Sequence, residues 1–473
     1  MEADAIGIAA IVVFGVGAQW LGRATGFPSI LLLLLAGVLA GPALGIVDPD
    51  EIFGEALFPV VSLGVALLLF EEGLKLRFER LPPGTRHPVV RLLTVGVLIT
   101  AVGAAVAAKL IFDLPSDEAA VLGAILIVSG PTVVQPILRL ARPREPVESI
   151  LSFEGIIVDP IGAMVGIAVL NVVLQDHGPG LIQTAAIGFA AGLAGAAVLV
   201  LAMRLLLVSY ELEVAVALAV AVAAFTLAEE LRSEAGLFAT TVMGIALANQ
   251  KRVPMERIHD FGSTLGAVIL GALFIILAAR VKLDDVVDLL PQILLFTGIL
   301  IILLRPITTF VSMAGTKRPL KERILISGIA PRGVVAAATS SLFLLKFEEA
   351  GDAFPELVPV TFGVIFLTSL VYGLGFPPLT RLLGLQLPRP RGIAIVGEQP
   401  WALDLARALN EADVPVILLP EQPLDASSIP AGVRAIPGEV DKARTDEALG
   451  SVGGALIVAE HADRRSLAGA KLT

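Results

Sequence analysis

The chain has 473 residues, 56% of them hydrophobic and 16% charged, with a net charge of −10 and no cysteine. Soluble domains average roughly 25% charged residues, so the composition excludes an ordinary soluble enzyme or binding module and indicates an integral membrane protein. The missing cysteines exclude disulfides, thiol catalysis and cysteine metal sites, whereas the net charge decides nothing until it is mapped by side.

The N-terminal "MEADAIGIAA" is acidic, with neither a basic n-region nor a clear cleavage site, and reads as a retained first helix. Apolar stretches of about 20 residues then recur. They predict thirteen spans near 6–22, 27–46, 55–74, 89–112, 118–140, 148–173, 181–207, 211–229, 234–249, 262–281, 286–312, 320–346 and 356–384. Basic residues crowd the loops on one side, among them Lys75, Arg77, Arg80, Arg139, Arg142, Lys251, Arg252, Lys317 and Arg318. The opposite side holds acidic loops such as "VDPDEIFGE" and "FEEAGDAFPE". The positive-inside rule then places the N-terminus outside and the C-terminus in the cytoplasm.

In chain order, span 3 ends on Glu71 and Glu72, beside Lys75 and Arg77, where an interfacial role and a place in an ion path are both open. Span 5 contains "SGPTVVQP" (129–136) and span 12 contains "GIAPRGVV" (328–335). Proline removes a backbone donor and clashes with the preceding turn, and in lipid such breaks are tolerated only where they are buried in protein or line a cavity. With span 7 as linker, both breaks fall in the fifth helix of two inverted six-helix repeats, which points to a transporter site at the midplane.

Span 6, "SFEGIIVDPIGAMVGI", carries Glu154 and Asp159. A mid-membrane acid costs a few kcal/mol on insertion scales and is a functional candidate by default; the alternative for Asp159 is a structural acid hydrogen-bonded between helices. At about 100° per residue the two carboxylates lie roughly 140° apart and face different neighbours. Arg332, in the break of span 12, reads as the base nearest mid-span, so Glu154–Arg332 is the expected structural pair. Asp159 is then left to hold a proton or a cation, with Thr132 as an oxygen donor. Arg305, about two turns from its span end, reads as structural and able to snorkel. No histidine cluster or nucleophile–base constellation suggests catalysis, and the chain is not expected to be an enzyme.

"GFPSILLLLLAGVLAGP", "LGVALLLFEEGL", "SGPTVVQP", "SFEGIIVDPIGA" and "GIAPRGVVAAA" occur in this order. Together they resemble the cation/proton antiporter superfamily, in its NhaP or sodium–proton exchanger branch, over residues 1 to about 385. The resemblance implies an all-α polytopic protein, a homodimer in a bacterial or archaeal cell membrane, that exchanges Na+ or K+ for H+ by alternating access. It also implies that Asp159 binds cation and proton, Thr132 is a ligand in the break, Glu154 and Arg332 form the structural ion pair, and Glu71 lies near the ion path. The family's Asn-Asp pair is Val158-Asp159 here, its Thr-Asp-Pro is Thr132-Val133-Val134, and a serine ligand is Gly155. A single ionisable site argues for one-for-one, electroneutral exchange with no required cofactor. A ligand-gated K+ efflux system and a membrane sensor that no longer transports are the alternatives; no nucleic-acid partner is expected.

A basic linker, residues 388–391, separates a transmembrane domain (1–387) from a Rossmann-like tail (392–473). In the tail, "GIAIVGEQPWALDLARALNEADVPVILLP" reads as strand, turn, helix, strand, and "GVRAIPG" and "ALIVAE" as further strands. It resembles the TrkA-N (RCK) regulatory domain of potassium transport systems. Gly397, Gln399 and Ala402 stand where G-x-G-x-x-G/A would be, with Pro420 and Glu421 at the end of the second strand. Gln399 would impede close approach to a pyrophosphate, so an adenine nucleotide and a purely structural docking role compete equally. The segment is short for that domain, and the natural chain is expected to continue beyond residue 473.

Overall fold

The computed structural model describes residues 2–25, 27–80, 82–174, 181–232, 235–387, 392–396, 400–412, 414–420, 429–430, 433–435 and 452–457. The chain divides into two compact units, Met1–Leu385 and Gln386–Thr473.

In the described part of the first unit all regular structure is helical. It begins with α1 (Glu2–Thr25), α2 (Ser29–Val38), α3 (Pro49–Phe53) and α4 (Leu57–Lys75), a π turn at Leu39–Ala43 continuing α2. The short α3 starts where the Asp48 carboxylate accepts from the amides of Asp50 and Glu51, with Pro49 at the first helical position. Next come α5 (Arg86–Arg91) and α6 (Val97–Phe112), joined through a π turn at Leu92–Gly96, then α7 (Ser116–Ile125), α8 (Pro131–Ala141) and α9 (Val147–Val173). After α10 (Leu181–Arg204), α11 (Glu213–Leu231), α12 (Ala235–Asn249) and α13 (Glu256–Ala279) come α14 (Leu283–Asp288) and α15 (Leu290–Ile299). A third π turn, Leu300–Leu304, runs into α16 (Arg305–Ser312), which precedes α17 (Leu320–Ser327), α18 (Val334–Ala350) and α19 (Leu357–Leu382).

Among the described residues, nine helical segments are long and apolar enough to cross a bilayer, and Ser29–Ala43 and Ala235–Asn249 are shorter apolar helices. Large apolar side chains such as Leu110, Val172, Ile182 and Leu206 point outward, as expected where lipid rather than water is the solvent. Inside, Leu33, Phe274, Phe296, Phe343 and Val364 are buried in the main core, while Phe70, Leu199, Met243 and Leu247 form a second cluster. Small residues let helices approach closely: a Cβ on Gly244 of α12 would collide with the Phe70 carbonyl oxygen of α4.

Both expected breaks are present. Residues 126–130 separate α7 from α8, and residues 328–333 separate α17 from α18. Pro131 opens α8 at the one position where its missing N–H costs nothing.

In the second unit, β1 (Gly392–Val396), α20 (Pro400–Glu411), β2 (Val416–Leu419), β3 (Arg434–Ala435) and β4 (Val452–Ile457) form a parallel sheet in the order β3–β2–β1–β4. Ile393 is in register with Val416, and Ile395 with Leu456. Ile395, Ala402, Ala406 and Leu418 are buried between the sheet and α20.

Candidate functional site

The two breaks meet backbone to backbone. A Cβ on Gly333 would lie 2.9 Å from the Cα of Gly130, and a Cβ on Gly130 would lie 3.1 Å from the Cα of Gly333. Neither position has room for a side chain. Half-helices α8 and α18 both begin at this crossing, Gly130 and Gly333 being their N-caps, so two sets of free N–H groups converge there. The carbonyl ends of α7 and α17 lie across the same gaps.

Asp159 lies midway along α9 and is 1% exposed. The same point beside Gly130 is 3.2 Å from Thr132 Oγ1 and 3.5 Å from Asp159 Oδ2, so both oxygens face one small space. Thr132 Oγ1 and Asp159 Oδ1 are buried without a hydrogen-bond partner, although buried polar atoms are nearly always satisfied. A carboxylate, a hydroxyl and the carbonyls of an unwound segment are a hard oxygen donor set. It suits an alkali cation as substrate, and the same carboxylate can take a proton instead.

Glu154 faces elsewhere, as its angular offset from Asp159 predicts, but its partner differs from the expected one. Arg305 donates from Nη1 to Glu154 Oε1 at 2.5 Å and from Nη2 to Oε2 at 2.9 Å. The Glu154–Arg332 pair is therefore corrected to Glu154–Arg305. Arg305 does not snorkel: it is 8% exposed, and it also donates to the Ile326 carbonyl at the end of α17 at 3.1 Å. Arg332 serves the other break. Its Nη1 donates to the carbonyls of Ile127 and Val128, at 3.2 and 3.3 Å, beyond the end of α7, and its backbone N–H donates to Thr368 Oγ1. Each arginine thus covers carbonyls that a broken helix leaves unpaired, and a cation is favoured at that end of the helix. In sequence, Arg305 is distinguished only by the Pro306 that follows it.

Thr132 also lines a cavity of about 410 Å³ between α8 and a wall made by α1, α4 and α13, with Gln19, Glu71, Glu72, Lys75, Gln135 and Ser263 around it. Glu71 and Glu72 are both buried, and Lys75 Nζ lies 2.6 Å from Glu71 Oε1 and 2.9 Å from Glu72 Oε1. The structure brings Thr132 together with Asp159, and opens the cavity between Thr132 and Glu71. In the tail, Ala402 is fully buried in the first turn of α20; Gly397, Gln399 and Glu421 lie outside the described residues.

The comparisons with known proteins concern the family and the fold. At 26% identity over 418 residues, 85% of this chain and 70% of the relative, the chain resembles the K(+)/H(+) antiporter NhaP of Alkalimonas amylolytica. It is likewise 26% identical over 350 residues to Na(+)/H(+) antiporter 1 of Methanocaldococcus jannaschii, covering 70% of this chain and 81% of the relative. The solved structure of the sodium proton antiporter MjNhaP1 from that archaeon superposes with a TM-score of 0.70 at 22% identity, over 81% of this chain and 99% of the other; at that identity the likeness concerns the fold. Residues 7–382, nearly all of the helical unit, match the transmembrane region of the sodium/hydrogen exchangers. The chain is an integral membrane protein and belongs to the sodium/hydrogen exchanger family.

Proposed function

We propose that the protein exchanges one monovalent cation, Na+ or K+, for one proton across the membrane, with Asp159 holding one or the other in turn. The observation that carries this reading is the shared space at the Gly130–Gly333 crossing, which the Asp159 carboxylate and the unpartnered Thr132 hydroxyl both face, with Thr132 also lining a cavity. The antiporters named above support the same chemistry, and a single carboxylate supports an electroneutral cycle. Glu71, on the far wall of the cavity, belongs to the ion path. Glu154–Arg305 and Arg332 hold the breaks in place.

The finer architecture follows. Counting each broken pair as one span gives thirteen spans in two inverted halves around α10. The ends of α1, α4 and α8 that carry Arg23, Lys75 and Arg139 face the cytoplasm, and the N-terminus lies outside. The protein works as a homodimer in a prokaryotic cell membrane. The parallel-sheet tail is a Rossmann-like regulatory module that modulates exchange, with an adenine nucleotide as its candidate ligand.

Reconstituted vesicles test the central claim. Adding Na+ or K+ is expected to drive counter-movement of protons, and Asp159→Asn, which keeps size but loses the charge, is expected to abolish it. Because proton and cation compete, the apparent cation KM should rise about tenfold per unit as pH falls below the range in which Asp159 titrates. Full exchange by the Asp159→Asn protein, or an uncoupled K+ current in the wild type, would reject the assignment.

A further inference from the structure

The cavity wall opposite Thr132 holds a lysine to which the exchange cycle above gives no part. Glu71, Glu72 and Lys75 lie within the last turn of α4, and their i, i+3 and i+4 spacing brings the ammonium against both carboxylates. Two acids share one base. Glu72 Oε2 is buried and has no hydrogen-bond partner. Beside Glu71 the face of α13 is bare, because Gly262 and Gly266 present no side chain; a Cβ on Gly266 would lie 3.3 Å from Glu71 Oε2. Arg23 and Arg139 line the same cavity but are exposed.

The Lys75 side chain is 24% exposed, whereas those of both glutamates are 6% exposed. Its compact ammonium on a flexible four-carbon stem can therefore swing toward the cavity mouth while the acids stay where they are. At 2.6 and 2.9 Å from carboxylate oxygens, that ammonium stands where a dehydrated alkali cation would bind. We propose that Lys75 is a tethered stand-in for the transported cation: it occupies Glu71 and Glu72 while the path is empty, and an arriving Na+ or K+ ion displaces it. This rests on the exchanger reading above and adds to it a residue that sets cation affinity. The role is one of positioning, since Lys75 acts through the two acids and does not itself touch the ion. It also keeps the two buried acids compensated through the part of the cycle in which no ion is present.

Labelling the reconstituted wild-type protein tests this without any variant. An amine-acylating reagent should modify Lys75 faster when Na+ or K+ replaces N-methylglucamine at equal ionic strength, over the concentrations that drive exchange. Lys251, whose side chain is 78% exposed, should react equally in both. Lys75→Met should lower the cation KM about fivefold, the worth of a partly exposed ion pair. Lys75→Arg should raise it, because the guanidinium fork grips both carboxylates. Cation-independent labelling of Lys75, or an unchanged or higher KM in a folded Lys75→Met protein, would overturn the proposal and leave the exchange mechanism standing. If the wild type shows no coupled exchange at all, it is the exchange reading that fails.

Discussion

Removing the charge of Glu154 tests the corrected ion pair. Glu154→Gln leaves Arg305 the Ile326 carbonyl at 3.1 Å and a single neutral amide oxygen, in place of two charge-assisted bonds at 2.5 and 2.9 Å. Both partners are less than a tenth exposed, so the stranded guanidinium should cost about 3–5 kcal/mol. Arg305→Met should cost a similar amount by stranding the carboxylate. The double variant removes both charges and should be less destabilised than the two singles added together, by about 2–3 kcal/mol. Unfolding in mixed micelles, followed by tryptophan fluorescence, measures all four proteins in one cycle. A parallel cycle with Arg332→Met should give a smaller coupling to Glu154, because Arg332 spends its hydrogen bonds on Ile127, Val128 and Thr368. Coupling of Glu154 to Arg332 that exceeded its coupling to Arg305 would refute the pairing and restore the one expected from the sequence.

Gly333→Ala puts a methyl group 2.9 Å from the Gly130 Cα; the crossing must part, at a cost of about 1–3 kcal/mol, and exchange should fall, while a fully active variant would show that the contact is not required. Single cysteines, introduced into a chain that has none, report sidedness: Ser116→Cys should react with an impermeant thiol reagent from outside and Thr316→Cys only after permeabilisation, the reverse pattern rejecting the orientation. Truncation after Leu387 should leave coupled exchange measurable in vesicles, with altered rate or pH dependence, and complete loss in a folded truncation would place the tail within the transport machinery.

Both helix breaks were legible because proline and glycine act locally. Where the two residues cluster the helix is interrupted, at 126–130 and 328–333, whereas the single Pro160 is carried inside the continuous α9. The juxtaposition of Asp159 with Thr132 was legible for a related reason, since the site is assembled from the break itself and the helix that crosses it. The partner of Glu154 was not legible. The depth of a residue along its span says which bases could reach the midplane, but not which helix packs against α9. The aliphatic run "LIILL" gives no sign of the π turn just before Arg305, although a π turn inserts a residue and rotates the helix face beyond it. The role of Arg332 was hidden for the opposite reason: its partners are backbone carbonyls, which every residue possesses. The parallel pairing of β1 with β2 follows from two apolar segments separated by one helix, since parallel neighbours need a crossover.

The Glu154–Arg305 pair joins residues 151 positions apart, and the ribosome reaches them at different times. At about 5–20 residues per second, Glu154 is made roughly 8–30 s before Arg305. During that interval the first helices stand in the bilayer with an acid whose counter-charge does not yet exist. Closing the pair is therefore a late event in biogenesis, and one that joins the N-terminal half of the helical unit to the C-terminal half. A nascent chain stopped between α9 and α16 would carry a buried carboxyl group with no base to meet it, a defect that membrane quality control could detect.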